Sequence, residues 1–422
     1  MSGNGGISKF SFPSRLIHRE VNLSMPGALS GLLVVEVASY VTGPFAGALL
    51  GDLGAEVIKV EDPGRGDPFR GWGDDLYSPT FCALNRNKKS IRLDLRTQGG
   101  REILLELIDK ADVVIENHRP GVAKRMGFGY EAVHARNPRA VYCSITGFGE
   151  DGPYAQRPGY DTVGQALSGL LSLLTNVDQP EPMGISLSDH VTGIYAFCGI
   201  LSGLMARAAT GEGQLVTTSL LQATMHLIGE NAAHYFHSDQ APLRQTRVRQ
   251  AQVYAFQASD GLPFVVHLSS PTKFFEGLAK AVGHPEWLED PRFVNRAARQ
   301  RNYEALLSQL QEIFRSAPRD HWLEELGRLD VPSAAINTIA DAFEDPQVKH
   351  LGIKMSYDHP THGTVYGVAP GFALSDTPLT VRLAPPVLGE HTETVLSHLG
   401  IADERMKALT SEGAFGASES GS

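Results

Sequence analysis

"LLVVEVASYVTGPFAGALLGDLGAEVIKVED", residues 32–62, holds two β-branched apolar runs, a Gly-Pro turn and, between them, a helix of small residues. Two strand signals enclosing a helical one predict a βαβ unit with parallel strands. Gly43, Gly47 and Gly51 recur every fourth residue and give that helix one flat face for close packing on a sheet. Further strand signals follow at "KSIRLDL" (89–95), "ADVVIEN" (111–117) and "RAVYCSITGFG" (139–149), separated by the helical stretches 97–110 and 123–137. The alternation predicts an α/β fold: an open, Rossmann-like, mostly parallel sheet with helices on both faces.

Beyond two helical stretches at 191–209 and 215–237 the pattern changes. "QVYAFQASDGLPFVVHLS" (252–269) reads as a hairpin around Asp260 and Gly261, and 271–283 and 303–316 read as amphipathic helices. A smaller α+β domain is therefore expected. The expected organisation is a flexible N-terminal extension (1–28), the first part of a discontinuous large domain (29–195), linker helices (196–240), the small domain (241–325), the second part of the large domain (326–410) and a disordered tail (411–422).

The 422 residues are 42% hydrophobic and 20% charged, as in a globular chain with room for two cores. A net charge of −10 without a basic stripe argues against nucleic acid or an anionic membrane as partner. Cys82, Cys143 and Cys198 are far apart and form no CxxC pair, so neither a disulfide framework nor a zinc site is indicated, and a cytoplasmic setting is expected. No metal site is expected either: His234 and His237 stand three apart without an acidic partner pattern. The N-terminus lacks the apolar core of a signal peptide. The apolar run 191–206 is shorter than a membrane span, carries Gly193, Gly199 and Gly203, and reads as a buried helix enclosing an inert Cys198.

Glu61 closes the second strand where a dinucleotide fold places its ribose-binding acid, but "TGPFAGALLG" lacks the G-x-G-x-x-G phosphate loop, which argues against a nicotinamide cofactor. Cations cluster at 86–96 (Arg86, Lys88, Lys89, Arg92, Arg96) and 119–125 (Arg119, Lys124, Arg125). Two such clusters at the ends of neighbouring strands suit an anionic ligand with several phosphates. Asp189, in "GISLSDHVTGIYAFCG" (184–199), heads an apolar helix. It is either an N-cap or a nucleophile toward an activated acyl group, kept ionised by the helix dipole, with Gly184 and Gly193 presenting N–H groups to an oxyanion.

Six stretches together resemble the class III CoA-transferase family: 43–72, "NRNKKSIRLDL" (85–95), "VVIENHRPGVAKRMGFGY" (113–130), "ITGFGEDGPYAQRPGYD" (145–161), "GISLSDHVTGIYA" (184–196) and "PVLGEHT" (386–392). The resemblance covers about Leu29 to Leu409. It implies that CoA passes from an acyl-CoA donor to a free carboxylic acid, with Asp189 forming first an anhydride and then a CoA thioester. It places CoA contacts at Gly43, Leu93, Arg96, Asn117, Arg125 and Met126, and lines the acyl site with Tyr160 and Asp161. Coenzyme A is substrate here and no tightly bound cofactor is implied. The resemblance also implies an interlocked homodimer. Two positions depart from the family pattern: Asp62 stands where a basic residue is usual, and His118 follows Asn117 in place of an aromatic. The family's racemase branch has a histidine where this chain has Tyr160, and a phenol with a pKa near 10 is a poor base at neutral pH, so transfer is favoured over 2-methylacyl-CoA racemisation. The similarity leans toward branches acting on dicarboxylic acids, with Arg244, Arg247 and Arg249 as candidates to hold the distal carboxylate.

Overall fold

The computed structural model describes residues 27–416 except Asp74 and Ser270. Residues 1–26 of the expected extension and 417–422 of the expected tail lie outside the described residues. Residues 411–416 are not the disordered tail expected: the last helix runs Asp403–Ser411, and Ala414 is fully buried against the first core. Two compact units emerge, one built from residues up to Asp161, Leu187–Ala223 and Met355 onward, the other from Thr162–Ser186 and Thr224–Lys354.

The first unit is a six-stranded sheet of β1 (Leu33–Val37), β2 (Glu56–Glu61), β3 (Lys88–Arg92), β4 (Val113–Glu116), β5 (Val141–Thr146) and β6 (Leu215–Ser219), in the order β3-β2-β1-β4-β5-β6. Every neighbouring pair is parallel. The segment 215–219, expected to be helical, is β6: "LVTTS" is β-branched in three of five positions and completes the ladder of β5. Alternate residues face opposite layers, as a pleat requires. Val35, Ile58 and Val114 pack on the helix Gln98–Lys110, while Val34, Val57, Val113 and Ile115 pack on helix α1 (Thr42–Asp52) and the long helix Leu187–Thr210.

The glycines of α1 sit where a side chain has no room. A Cβ on Gly43 would come within 2.4 Å of the Ala38 Cβ, one on Gly47 within 2.0 Å of a Glu36 carboxylate oxygen, and one on Gly51 within 2.9 Å of the Asn87 Cβ. The long helix uses the same device: Gly193 meets Thr42 and Phe45 of α1, Gly199 meets Val216, and Gly203 meets Val141. This helix is less enclosed than its sequence implies. It is long and apolar enough to cross a bilayer, with mean hydropathy 1.4, and Ile194, Met205 and Cys198 are exposed along it.

Behind the sheet's carboxyl ends lies a buried ionic network. The Lys59 ammonium donates to Glu36 (2.9 Å) and the Ala38 carbonyl (2.8 Å) and lies 2.9 Å from Asp67. Lys88 pairs with the other Glu36 oxygen at 2.8 Å and donates to the Pro44 carbonyl and Asn85. Arg70 grips Glu61 with two nitrogens (2.8 and 2.7 Å), donates to the Pro386 carbonyl and lies over the Phe81 ring. Burial opposes ionisation of Glu36, yet the two lysines hold its pKa below the usual carboxylate value; burial pulls Lys88 down to about 8, with Lys59 adding to the fall.

The second unit carries an antiparallel sheet, β7 (Val253–Gln257), β8 (Pro263–His267) and β9 (Ser333–Ala335), covered by the helices Thr272–Ala281, Tyr303–Phe314 and Arg319–Arg328. Its hairpin turns at Asp260 and Gly261, the latter at φ 76°, as "SDG" predicts. The core is aromatic: Tyr254, Phe256, Phe264, Phe275, Phe314 and Trp322.

Candidate active site

Strand order reverses between β1 and β4, and in open α/β sheets the crevice beyond the carboxyl ends at that point is where ligands bind. Asn117, just after β4, spans the break. Its side-chain oxygen accepts from the Ser39 N–H (3.0 Å) and its nitrogen donates to the Ser39 carbonyl (2.7 Å) and the Thr42 hydroxyl (3.2 Å). The amide thus clamps the β1–α1 loop. The next residue, Tyr40, has φ 66°, a left-handed conformation rare for an aromatic. Its N–H donates to Asp67, which joins the loop to the buried network. Burial, with a hydrogen bond that the Tyr40 hydroxyl donates to Tyr160, raises the Tyr40 phenol pKa.

Two cavities open on either side of the clamp. The first, about 280 Å³, lies over the ends of β1, β2 and β3 and takes in Val37–Ser39, Glu61, Asp62, Leu93–Arg96, His118 and Met126. The second, about 190 Å³, lies over β1, β4 and β5 and takes in Tyr40–Thr42, Asn117–Pro120, Thr146, Arg157–Tyr160 and Asp189. Each is below the ~300 Å³ lower end for drug-sized ligands.

Asp189 is the third residue of the long helix, in its first turn rather than at its N-cap. The capping task expected of it falls to Asp161, whose carboxylate accepts the N–H groups of Ser188 (2.8 Å) and Asp189 (3.2 Å). Burial, then the negative charge of Asp161, push Asp189 up to about 7, against the expectation that the helix dipole would keep it fully ionised. Gly193 lies inside the helix against α1 and offers no free N–H to an oxyanion. Tyr160 is exposed and meets Tyr40 edge-on at 5.8 Å.

The raised pKa predicts a pH-dependent stability. An aspartate titrates near ~3.9 in an unfolded chain, so between that pH and about 7 the folded state holds a proton that the unfolded state has released. Stability contributed here is present below pH ~4 and is lost as pH rises through about 7. Asp189→Asn removes the linkage. In urea unfolding the variant is expected to match the parent near pH ~4 and to exceed it by about 1–2 kcal/mol at pH ~8, the full shift being reduced by solvent screening of a half-buried group. Equal midpoints at both pH values would mean that Asp189 ionises as freely folded as unfolded.

Of the expected CoA contacts, Leu93, Arg96 and Met126 come together in the first cavity and Asn117 lies in the second. Gly43 is packed under Ala38 and Ile115, and Arg125 stands exposed at the end of the short turn Val122–Arg125. The cation cluster at 86–96 is largely turned to other tasks. Arg86 is paired with Asp52, Lys88 with Glu36 and Lys89 with Glu56. Arg96 donates to Asp94 from Nε and one terminal nitrogen, at 2.7 and 2.8 Å. Glu61, bound to Arg70, is not available to a ribose. Arg247 and Arg249 pair with Glu230 and Glu304 in the second unit. Cys198 is exposed, not buried. Among the described residues no cluster of three or more His, Cys, Asp or Glu side chains is placed to hold a metal.

Arg119, from the 119–125 cation cluster, lines the second cavity, whereas the sequence alone singles out neither Tyr40 and Arg157 nor the environment of His118. Arg157 and Tyr160 both lay within the quoted "QRPGYD" stretch, whereas nothing local announces that Tyr40 adopts a left-handed backbone.

A six-stranded parallel sheet in this order, with a carboxylate on a helix beside its switch point, defines an α/β enzyme of the Rossmann type. The family model of CoA-transferase family III matches residues 29–392, and the chain belongs to that family. The succinyl-CoA:glutarate CoA-transferase of Homo sapiens is 34% identical over 384 residues, 89% of this chain and 87% of its own length. The acetyl-CoA:oxalate CoA-transferase of Acetobacter aceti is 39% identical over 327 residues, 76% of this chain and 84% of its own. The crystal structure of a CAIB/BAIF family protein from Brucella suis superposes with TM-score 0.79 at 37% identity, covering 89% of this chain and 100% of that one.

Proposed function

We propose that this CoA-transferase moves CoA from an acyl-CoA donor to a dicarboxylic acid, with Asp189 as the covalent relay. The observation that carries the reading is the half-buried Asp189 carboxylate, whose pKa is pushed up to about 7, in a cavity at the sheet's switch point. A basic, partly desolvated carboxylate is a better nucleophile than a solvated one when ionised. It attacks the thioester carbonyl; the C–S bond breaks, the CoA sulfur leaves with the electron pair, and an acyl-aspartyl anhydride forms. The CoA sulfur then attacks the aspartyl carbonyl, releasing the donor acid and leaving an aspartyl-CoA thioester. The acceptor carboxylate displaces the CoA sulfur to give a second anhydride. Attack of that sulfur on the acceptor's acyl carbon forms the new acyl-CoA and restores Asp189. The energy of the thioester is kept throughout, because no step consumes water.

The dicarboxylate class is supported by two observations. Relatives at 34% and 39% identity are named for glutarate and oxalate. Arg119 and Arg157 line the same cavity as Asp189 and suit a second carboxylate by charge-assisted hydrogen bonds. The test offers purified protein succinyl-CoA with pooled mono- and dicarboxylic acids and reads the new acyl-CoA species by mass spectrometry. Dicarboxylyl-CoA products are expected, and Arg157→Ala is expected to raise the acceptor KM roughly 10- to 100-fold, the loss of one such bond. No exchange with any acid would overturn the assignment, and equal use of monocarboxylates would overturn the substrate class.

A further inference from the structure

Among the described residues His118 alone lines both cavities. If the CoA body occupies the first and the acyl group the second, the segment that passes His118 is the end of the chain carrying sulfur. The ring is not loose there. Its Nδ1 lies 3.2 Å from a Glu116 carboxylate oxygen that also accepts the His118 backbone N–H at 2.8 Å. The other Glu116 oxygen shares the Ser144 hydroxyl with a Glu150 carboxylate oxygen, and Glu116 is only 4% exposed. An ionised carboxylate only accepts, so Nδ1 carries the hydrogen toward Glu116 and Nε2 is left for the ligand. The Phe128 ring, itself fully buried, stands edge-on at 5.9 Å and limits the imidazole's swing.

We propose that His118, oriented by Glu116, is a catalytic acid–base for the CoA sulfur while it is detached from the acyl group. This rests on the transferase assignment above. When the Asp189 carboxylate attacks the thioester and the C–S bond breaks, the departing sulfur keeps the bonding pair and takes the proton from Nε2 of the imidazolium, leaving neutral His118 with its Nδ1–H on Glu116. When the sulfur re-enters at the aspartyl carbonyl, Nε2 takes the proton back from the thiol. The second half of the exchange repeats the pair of transfers, so His118 ends as it began. The waiting CoA is thus a thiol held at the junction of the cavities rather than a free thiolate exposed to solvent.

The experiment compares steady-state exchange by the parent, His118→Gln and His118→Ala, with circular dichroism and melting temperature as folding controls. Positioned proton transfer contributes typically ~10²–10⁴-fold, so kcat is expected to fall at least ~100-fold in both variants while the donor KM changes less than about threefold. Added imidazole is expected to restore at least ~10-fold of the lost rate to His118→Ala, a rescue that a packing or binding role does not allow. A raised donor KM with kcat intact would make His118 a binding residue and overturn the proposal. So would a kcat loss that imidazole leaves unchanged. An active parent with a fully active His118→Gln overturns this inference alone, whereas an inert parent overturns the transferase assignment and this inference with it.

Discussion

Asp189→Ala is expected to lower kcat for CoA exchange by at least ~10⁴-fold, the scale seen when a covalent nucleophile is removed and only binding and orientation remain. The physical case is the environment of the carboxylate. Burial and the neighbouring charge of Asp161 push its pKa up to about 7, so the ionised form is basic and poorly solvated, the condition in which a weak nucleophile attacks an acyl carbon. The same shift sets the rising limb of the pH dependence: only the ionised form attacks, so the rate of the first acyl transfer is expected to rise as pH approaches about 7. Intact-mass spectrometry after mixing with donor alone and quenching in acid is expected to show a CoA-sized adduct on the parent and none on Asp189→Ala. An Asp189→Ala protein retaining more than ~1% of the rate would exclude this residue as the relay, because the exchange would then proceed without its carboxylate.

Lys59→Met is expected to lower the unfolding free energy by about 3–5 kcal/mol, the range found when one partner of a buried pair is removed and the other charge stays buried. The Lys59 ammonium has three hydrogens and three partners, Glu36, Asp67 and the Ala38 carbonyl, so its ionised form is satisfied. Without it, Asp67 loses its cation and keeps only the N–H groups of Tyr40 and Phe69. Urea denaturation at neutral pH measures the loss, and a change below ~1 kcal/mol would show that water reaches this network. The site feels the same substitution, since Lys59 holds Ala38 and Asp67 holds Tyr40, and these two residues frame the turn between the cavities.

The sheet was legible because its signal is local. Runs such as "VVEV" and "VVIE" are buried on both faces and read as parallel strands, and the fourfold spacing of Gly43, Gly47 and Gly51 announced a close contact that the structure shows with Ala38, Glu36 and Asn87. What misled was also local. "LVTTS" follows a long apolar helix and runs straight into the next one, and only pairing with β5, some seventy residues earlier, makes it a strand. In the site, Asp189 stood out because an acid at the head of an apolar helix is conspicuous. Its raised pKa was not legible, since the shift comes first from burial in the folded chain and then from Asp161, distant in sequence and near in space. Charge clusters in sequence overstated the cationic surface for the same reason: Arg86, Lys88 and Lys89 find acidic partners on α1 and on the two inner strands.

The first unit is closed by residues that leave the ribosome long after the ones they complete. Asn87 accepts the N–H groups of Arg382 and Leu383, and Arg70 donates to the carbonyl of Pro386, 316 residues later. At ~5–20 residues per second, synthesis of that interval takes roughly 15–60 s. Throughout it the nascent sheet has polar groups without their final partners and an edge strand, β3, without its cover. The order of the gene therefore imposes a waiting period on the domain that carries Asp189, and the second unit is made entirely within it.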